Sequence, residues 1–481
     1  MKNKKIFFDD GAKGFLLMLL IGQLFLNNGI YLFFGAICFA LIIYNLQQPY
    51  KPAVFTMIFL YHFIQVSAGI WLSNYLGKDI NYRSDHSDTA TLAAFTGLGL
   101  MFSMIIYFQN KIPNLSLETL KIHAERLSIG KTFKAYLVAF VLTNALGGIA
   151  LSLGGLAQVT LSLVNIKWFF FLLFGFQVIL KKRMQKQFYL VVGFEFLLGF
   201  FSYFSEFKTV LFFLAFLLIT LLEKVNLRQV ILISVFLVLV FFGGVFWSSI
   251  KGEYRTFLNQ GNNTQTVNVT KNQALDKLIE LSNKQEGSDF DKSIIGFLDR
   301  IQYTFHLAKA MDRVPSVIPY QDGANWGETL SFVLTPRILN PEKSIYQASI
   351  KATKYTGIGY AGAKSGTSVS LGYFADGYID FGYFGMFIPL MILGLIFGTG
   401  YFYFIRRSGN NFIFNYSVVG GLFMEFLAFE MDSTYLLGRL FSDLLTFYIL
   451  SLFFFPWLLK QLSVTDNSKE YEMGKPGIDN S

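Results

Sequence analysis

The chain has 481 residues, of which 53% are hydrophobic and only 15% charged. Soluble proteins carry about 25% charged residues, so this composition is typical of an integral membrane protein. One cysteine excludes a disulfide framework and cysteine-based metal centres, and four scattered histidines argue against a histidine metal site. Basic residues in a membrane protein first set its orientation, so the net charge of +9 does not predict a nucleic-acid partner.

Apolar runs close to 20 residues long predict membrane-spanning helices, because a hydrocarbon layer of about 30 Å needs about that length. The twelve predicted spans are residues 12–27, 29–46, 53–73, 89–109, 135–154, 164–180, 188–205, 208–222, 229–249, 380–404, 412–430 and 438–458. Two regions leave the number open. Residues 12–46 fit either a tight hairpin or one long helix with a re-entrant piece, and the pair within 188–222 is separated only by a short polar turn.

Basic residues are distributed unevenly between the two sides that these spans define. With the N-terminus inside, 21 of the 40 Lys and Arg residues lie on the inner side, 5 on the outer side and 14 in one long outer segment. Positive residues prefer short cytoplasmic loops, so both termini are predicted to be cytoplasmic. The predicted fold class is all-α: a polytopic membrane protein of about 12 transmembrane helices with one large extracytoplasmic loop that contains short helices.

The large loop is the natural place for chemistry, because connections are usually only about 4–6 residues long. The predicted units are residues 1–249 for spans one to nine, 250–379 for the loop, 380–458 for the last three spans and 459–481 for a disordered cytoplasmic tail. Within the loop, helical periodicity predicts helices at 273–284 and 293–311. Residues 345–372, rich in Gly, Ser, Thr and Tyr, are predicted to be irregular.

Basic residues stand where the ninth span leaves the membrane. Lys251 and Arg255 are four residues apart, so they share one helical face. Anchoring to lipid headgroups explains such a pair, and phosphate binding explains it equally, because a guanidinium offers a fixed fork of donors. Lys208, beside Glu206 in another outer turn, and Arg300 in a predicted loop helix offer the same chemistry.

A second group of candidates lies between Asn325 and Lys343 in the loop. Two prolines predict an extended segment that carries Arg337 and Lys343, preceded by Glu328. The prolines can simply shape a surface loop. A rigid segment with two cations and a carboxylate also suits the binding of a diphosphate.

Carboxylates gather near the start of the tenth span. Asp376 and Asp380 are four residues apart in a glycine-rich stretch that suits close helix packing or a reactive site. Charged groups at membrane depth are costly and are therefore functional candidates. In or beside the last two spans these are Glu425, Glu430, Asp432 and Arg439. His306, in a predicted loop helix, is interpreted as either a surface residue or a base.

Several catalytic motifs are missing from the sequence. It has no Walker loop, no HExxH helix, no GxSxG elbow and no paired aspartates typical of metal-bound nucleotide sugars. ATP-driven transport and cytosolic nucleotide-sugar transfer therefore lack support. We expect neither a metal nor another cofactor.

Three stretches of sequence resemble the Wzy-type O-antigen and capsule repeat-unit polymerases, which are related to the O-antigen ligases. The stretches are Lys251-Gly-Glu-Tyr-Arg255, Thr335-Pro-Arg-Ile-Leu-Asn-Pro-Glu-Lys343 and Gly377-Tyr-Ile-Asp-Phe-Gly-Tyr-Phe-Gly385. The many spans and the single large outer loop resemble that family as well. The matching residues are concentrated between positions 247 and 390.

The resemblance implies a membrane glycosyltransferase that uses neither metal nor nucleotide. Such an enzyme joins glycan units carried on undecaprenyl diphosphate on the extracytoplasmic side of a bacterial inner membrane, with the diphosphate lipid as leaving group. The diphosphate-binding residues that it implies are Lys251, Arg255, Arg337 and Lys343, with Arg300, Lys208 and Arg439 as weaker candidates. The catalytic residues that it implies are Arg255 and Arg337, with Glu328, Asp376 or His306 to orient or deprotonate the acceptor hydroxyl.

Three other functions stay open. An O-antigen ligase would use the same donor, and another lipid-phosphosugar glycosyltransferase would use an acidic pair in the first outer loop, where Asp79, Asp85 and Asp88 lie. A lipid or polysaccharide transporter is a different class, which the long loop argues against. The expected partners are lipid-linked oligosaccharides and membrane lipids; whether a chain-length regulator protein also binds is left open.

Overall fold

The computed structural model describes residues 5–150, 153, 156–201, 207–262, 267–284, 290–335, 340, 343, 346–360, 368–427 and 430–464. The helices are α1 (Asp10–Gly22), α2 (Gly29–Leu46), α3 (Val54–Tyr75), α4 (Ser87–Gln109), α5 (Leu117–Glu125), α6 (Ile129–Ile149), α7 (Ala157–Val164), α8 (Ile166–Lys181), α9 (Gln185–Phe200), α10 (Phe207–Thr220), α11 (Leu227–Leu258), α12 (Lys271–Lys284), α13 (Phe290–Ile301), α14 (Thr304–Arg313), α15 (Ala324–Leu334), α16 (Ala348–Thr356), α17 (Tyr373–Gly385), α18 (Phe387–Arg407), α19 (Phe412–Phe423), α20 (Ser433–Leu452) and α21 (Phe454–Leu462). Short 3₁₀ helices lie at Gln23–Phe25, Ile80–Tyr82 and Met424–Leu427, and two short strands are β1 (Phe7–Phe8) and β2 (Lys224–Val225).

Eight helical segments in the described part of the chain are long and apolar enough to cross a membrane. They are α2, α3, α4, α6, the α7–α8 pair, α11, α18 and α20. Two shorter apolar segments are α10 and α19, the latter continuing to Leu427. The chain is therefore a helical membrane protein, which confirms the predicted all-α class. The number of about 12 spans stays a prediction.

Helices pack most closely where one of them carries a glycine. A methyl group on Gly394 of α18 would lie 2.3 Å from the carbonyl oxygen of Met101 in α4. One on Gly421 of α19 would lie 3.1 Å from the backbone nitrogen of Phe169 in α8. Small residues let backbones approach, and dispersion contacts then hold helices together where lipid removes the hydrophobic effect.

The helix α11 is much longer than a membrane is thick. Its 32 residues extend about 48 Å at 1.5 Å per residue. A capping box starts it, since the Asn226 and Gln229 side chains each accept from the other's backbone N–H. Its most apolar part is only 11% buried within the protein, so α11 lies at the periphery of the bundle. It continues beyond residue 249, where the ninth span was predicted to end, and carries Lys251 and Arg255.

The N-terminal segment is attached to the start of α11. Strands β1 and β2 pair in parallel. The Asp9 carboxylate accepts hydrogen bonds from the backbone N–H groups of Ala12 (2.7 Å) and Leu227 (3.3 Å). One side chain therefore binds the first turns of both α1 and α11.

The large loop contains the helices α12 to α17. The helix predicted at 273–284 is confirmed as α12. The helix predicted at 293–311 is two helices, α13 and α14, because the chain turns at Gln302 and Tyr303. At that turn the backbone N–H of Tyr303 donates to the Gln65 carbonyl of α3, which holds the break against the membrane bundle.

Two helices of the loop are not predicted by the sequence. Residues 325–334 belong to α15, and residues 348–356 within the stretch predicted to be irregular form α16. Both contact carboxylates of α17, described below, so tertiary contacts stabilise helices that the local sequence does not favour. Residues 336 and 341, the two prolines, lie outside the described residues.

The long helix of the tenth predicted span begins later than predicted. The span predicted at 380–404 is preceded by α17, and the long helix α18 starts only at Phe387. Gly382, with φ of 68° and ψ of −170°, interrupts α17. This backbone conformation is one that glycine adopts readily.

The C-terminal tail begins later than predicted too. Residues 459–462 belong to α21, and the backbone N–H of Val464 donates to the Arg126 carbonyl at 3.0 Å. The start of the predicted tail is therefore ordered. Its remainder, residues 465–481, lies outside the described residues.

The connection between α3 and α4 binds the loop helices to the bundle. Between α3 and α4, Arg83 pairs with Asp299 of α13 and lies 4.1 Å from the centre of the Phe305 ring of α14. His86 Nδ1 is 2.9 Å from the Asp312 carboxylate of α14. These contacts fix α13 and α14 against the end of α3 and the start of α4.

Candidate functional site

The end of α11 is anchored by a tyrosine between its two basic residues. Tyr254 is fully buried, and its hydroxyl donates to the Phe200 carbonyl at the end of α9. Lys251 and Arg255 lie three residues before and one residue after it on α11, and both are partly exposed. The burial of Tyr254 fixes the rotation of α11, so the positions of the two cations are set by the fold.

Four basic side chains come together around this helix end. Lys251 interacts electrostatically with Arg255 on its own helix, with Lys208 in the first turn of α10 and with Arg300 near the end of α13. Glu430, just before α20, is the acidic residue that interacts with both Lys208 and Lys251. We call these five residues the cation cluster.

The cation cluster carries an excess of positive charge. Counted over the residues that the structure describes, four basic groups against one acidic group leave three formal positive charges. Arg300 and Glu430 form an ion pair with an N–O distance of 3.5 Å, and their side chains are 58% and 36% exposed. Solvent therefore reaches the cluster. Grouped cations at a solvent-exposed helix end suit a multiply charged anion, because arginine and lysine donors match phosphate oxygens.

His306 lies close to the cation cluster. It interacts electrostatically with Arg300 of the cluster and with the Arg83 and Asp299 pair. Its Nδ1 is 2.9 Å from the Tyr360 hydroxyl oxygen. Burial lowers the pKa of His306 to about 4; Arg83 and Arg300 act in the same direction, whereas Asp299 opposes them. The imidazole is therefore neutral at pH 7. If Nδ1–H donates to Tyr360, Nε2 holds a lone pair that can accept a proton.

Asp376 of α17 is enclosed in a buried network. Its side chain is 0% exposed and forms an ion pair of 2.6 Å with Lys351 of α16. It also accepts from the backbone N–H of Ser433 at 2.8 Å, which caps α20. Burial raises the pKa of neighbouring Asp432, and the Asp376 charge adds to the effect. In this arrangement the Asp376 carboxylate holds α16 and α20 together.

Asp380 caps another helix. Its carboxylate accepts from the backbone N–H groups of Asn325 (3.3 Å) and Trp326 (2.9 Å) and from the Asn325 side chain. These N–H groups lie in the first turn of α15, where they have no partner within the helix. The acidic pair of α17 therefore stabilises the starts of α15 and α20.

The other predicted site residues lie elsewhere. The Lys343 ammonium donates to the Thr335 carbonyl at 2.8 Å and also to the Phe332 carbonyl, at the end of α15. Glu328 is exposed on α15. Arg337 lies outside the described residues.

Arg439 of α20 belongs to a separate ionic network. It pairs with Glu425, and its Nε is 3.8 Å from the Asp443 carboxylate. Asp443 in turn accepts from the Ser162 hydroxyl at 2.5 Å. This network connects α20 with α7 and satisfies charges at membrane depth.

Three residues near the cluster have no role that the sequence predicts. Glu430 stands out in the sequence only as a carboxylate in or beside the last two spans. Arg83 and Tyr360 carried no local signal, because their proximity to His306 depends on how the loop folds back. Within the described residues, no group of His, Cys, Asp or Glu has a geometry that could hold a metal ion.

The fold and the cluster define a polytopic helical membrane protein with a cationic site at a helix end. The family described as a domain of unknown function, DUF8712, matches residues 90–451. The match covers well over half of the chain, so the protein belongs to this family. No curated protein and no solved structure gives a match.

Proposed function

We propose that the protein is an oligosaccharide repeat-unit polymerase that transfers a glycan from a polyprenyl diphosphate to a hydroxyl of a second lipid-linked unit. The observation that carries the proposal is the cation cluster. Its three excess positive charges more than offset the two negative charges of a diphosphate diester. The donor, the acceptor and the bacterial inner membrane location come from the sequence resemblance to Wzy-type polymerases.

In this proposal the cation cluster binds the diphosphate and stabilises the charge that develops as it leaves. Cations already aimed at the leaving oxygen lower the barrier, because they need little reorganisation during the reaction. Arg255 and Arg300 supply planar forks of donors, and Lys208 and Lys251 add point charges. The position of α11 favours a lipid-linked donor, since its apolar part faces lipid while its end carries the cations.

We propose His306 as the group that accepts the proton of the acceptor hydroxyl. Asp376 is committed to Lys351 and Ser433, and Glu328 has no described contact with the cation cluster. His306 contacts Arg300 electrostatically and is neutral at pH 7, as a base must be. The C–O bond to the diphosphate breaks as the acceptor oxygen bonds to the sugar, and the proton passes to His306.

The proposal places the loop on the extracytoplasmic side, with about 12 spans and both termini cytoplasmic. The asymmetry of basic residues supports this orientation, and α1, α9, α10 and α19 supply the four additional short spans. A membrane-impermeant maleimide should label an Asn262→Cys variant in intact cells and should leave Arg183→Cys unlabelled. The reverse labelling would contradict the orientation.

The function is tested by deleting the gene and separating the surface glycan on a gel. Loss of the polymerase should leave glycan with a single repeat unit, and re-expression should restore the ladder. Polymer that is made but not attached to its final acceptor would instead indicate the ligase function. An unchanged ladder would rule out both.

The pH dependence of turnover tests His306. Because burial and nearby cations lower its pKa to about 4, the base form persists down to acidic pH. We expect kcat/KM, which reports groups of the free enzyme, to stay level from pH 7 to about 5 and to fall near 4. His306→Gln should lower kcat/KM and remove this acidic limb, whereas His86→Gln should retain both. If kcat/KM instead falls near pH 6.5, and still does so in His306→Gln, then His306 is not the base.

A further inference from the structure

Glu430 has an unusual position among the four cations. It pairs with Arg300 at 3.5 Å and interacts electrostatically with Lys208 and Lys251. The same carboxylate thus balances part of the charge of groups on α10, α11 and α13. The Glu430 carboxylate therefore connects three helices that are distant from one another in the sequence.

A carboxylate and a phosphate compete for the same donors of a guanidinium. Both present two oxygens in a plane that matches the arginine fork. A phosphate that binds Arg300 from the side where Glu430 lies must therefore displace Glu430. Both partners are well exposed, and ion pairs at such positions are weak, so the pair can open without unfolding its surroundings.

We propose that Glu430 is an internal counter-ion that a diphosphate displaces from Arg300, and that it thereby weakens diphosphate binding at the cation cluster. This inference rests on the proposed function of the cluster. It assigns Glu430 a role in specificity and release: the carboxylate returns to Arg300 as the diphosphate leaves, so the cations are never left without an anion.

The consequence for turnover follows from the charge balance. A site with four cations and no internal anion would bind its diphosphate product tightly and release it slowly. Glu430 raises the free energy of the bound state relative to the free state by offering Arg300 another partner. Because Glu430 is displaced in the ground state and in the transition state alike, it weakens both equally and leaves the rate of the chemical step unchanged, while the diphosphate product leaves faster.

The test measures the Kd of inorganic pyrophosphate for the full-length protein in detergent, by calorimetry at constant ionic strength. We expect Glu430→Gln to lower the Kd by about three- to fivefold, because it removes one competing exposed ion pair. Glu280→Gln, which removes an acidic charge of α12 that pairs with Lys277, is the control and should leave the Kd unchanged.

A second set of variants keeps the test informative if Glu430→Gln is poorly folded. Glu430→Asp retains the charge on a shorter side chain and should give an intermediate Kd. In an Arg300→Gln background the effect of Glu430→Gln on the Kd should become clearly smaller, since a double-mutant cycle isolates the Arg300–Glu430 interaction and leaves the interactions of Glu430 with Lys208 and Lys251.

Two failures can be distinguished. If pyrophosphate binds, Arg255→Ala weakens it, and Glu430→Gln leaves the Kd unchanged or raises it, then Glu430 positions Arg300 and does not compete; this overturns the inference alone. If wild-type protein does not bind pyrophosphate, or if Arg255→Ala has no effect on the Kd, the proposed function fails and the inference with it.

Discussion

Replacing Arg255 by alanine should abolish polymer while the protein remains inserted in the membrane. Arg255 lies at the end of α11 within the cation cluster and is proposed to hold the leaving diphosphate. Removing one preorganised charge-stabilising group lowers the rate by about 10²–10³-fold. A gel of the surface glycan should therefore show a single repeat unit, and an immunoblot of the membrane fraction should show a normal amount of protein.

Arg228→Ala is the matched control for Arg255→Ala. Arg228 lies in the first turn of the same helix and is exposed, so its loss removes an arginine of α11 at the opposite end. This variant should keep the full ladder. Arg255→Lys should give shorter polymer, since it retains the charge without the planar fork. A normal ladder from Arg255→Ala would refute the site, and the sequence resemblance predicts the same loss for Arg337→Ala.

Replacing Lys351 by methionine should strongly destabilise the protein. The change leaves the Asp376 carboxylate, which is 0% exposed, without its cation and beside Asp432. Removing one partner of a buried ion pair costs about 3–5 kcal/mol. Thermal unfolding in detergent, followed by size-exclusion chromatography of the heated samples, should show a clearly lower Tm at neutral pH.

Two variants separate the buried charge from other effects of this change. Lys354→Met alters an exposed lysine of the same helix, three residues after Lys351, and should leave the Tm nearly unchanged. Lys351→Met combined with Asp376→Asn removes both charges and should recover part of the loss. A Tm for Lys351→Met equal to that of Lys354→Met would show that the pair contributes little.

The cations of the cluster could be recognised as candidates from the sequence, because of the side of the membrane on which they are predicted to lie. The sequence predicts Lys208, Lys251, Arg255 and Arg300 on the side of the membrane that positive residues avoid. The sequence also places Lys251 and Arg255 on one face of a helix. Their convergence on one point was not predictable, since it joins residues up to 92 positions apart in the chain.

The roles of the acidic residues were harder to predict. Asp376 and Asp380 have the spacing of two residues on one helical face, which the sequence shows, but a spacing does not reveal what that face contacts. The partners are the first turns of α20 and α15 and the ammonium of Lys351, all contributed by other segments. The sequence does not predict the helix α15 for the same reason, because its first turn is capped by Asp380 of α17.

The length of α11 has a mechanical consequence. The helix follows strand β2, which pairs with the N-terminal strand β1, and it carries Arg255 near its other end, about 42 Å away from Leu227. Its middle has few protein neighbours. A rigid rod of this length converts a tilt of about 5° into a displacement of about 4 Å at its far end, which is more than the length of a hydrogen bond. Bilayer thickness contributes to the tilt of such a helix, so the hydrogen bond from Tyr254 to the Phe200 carbonyl protects the position of the guanidinium against changes in the surrounding membrane.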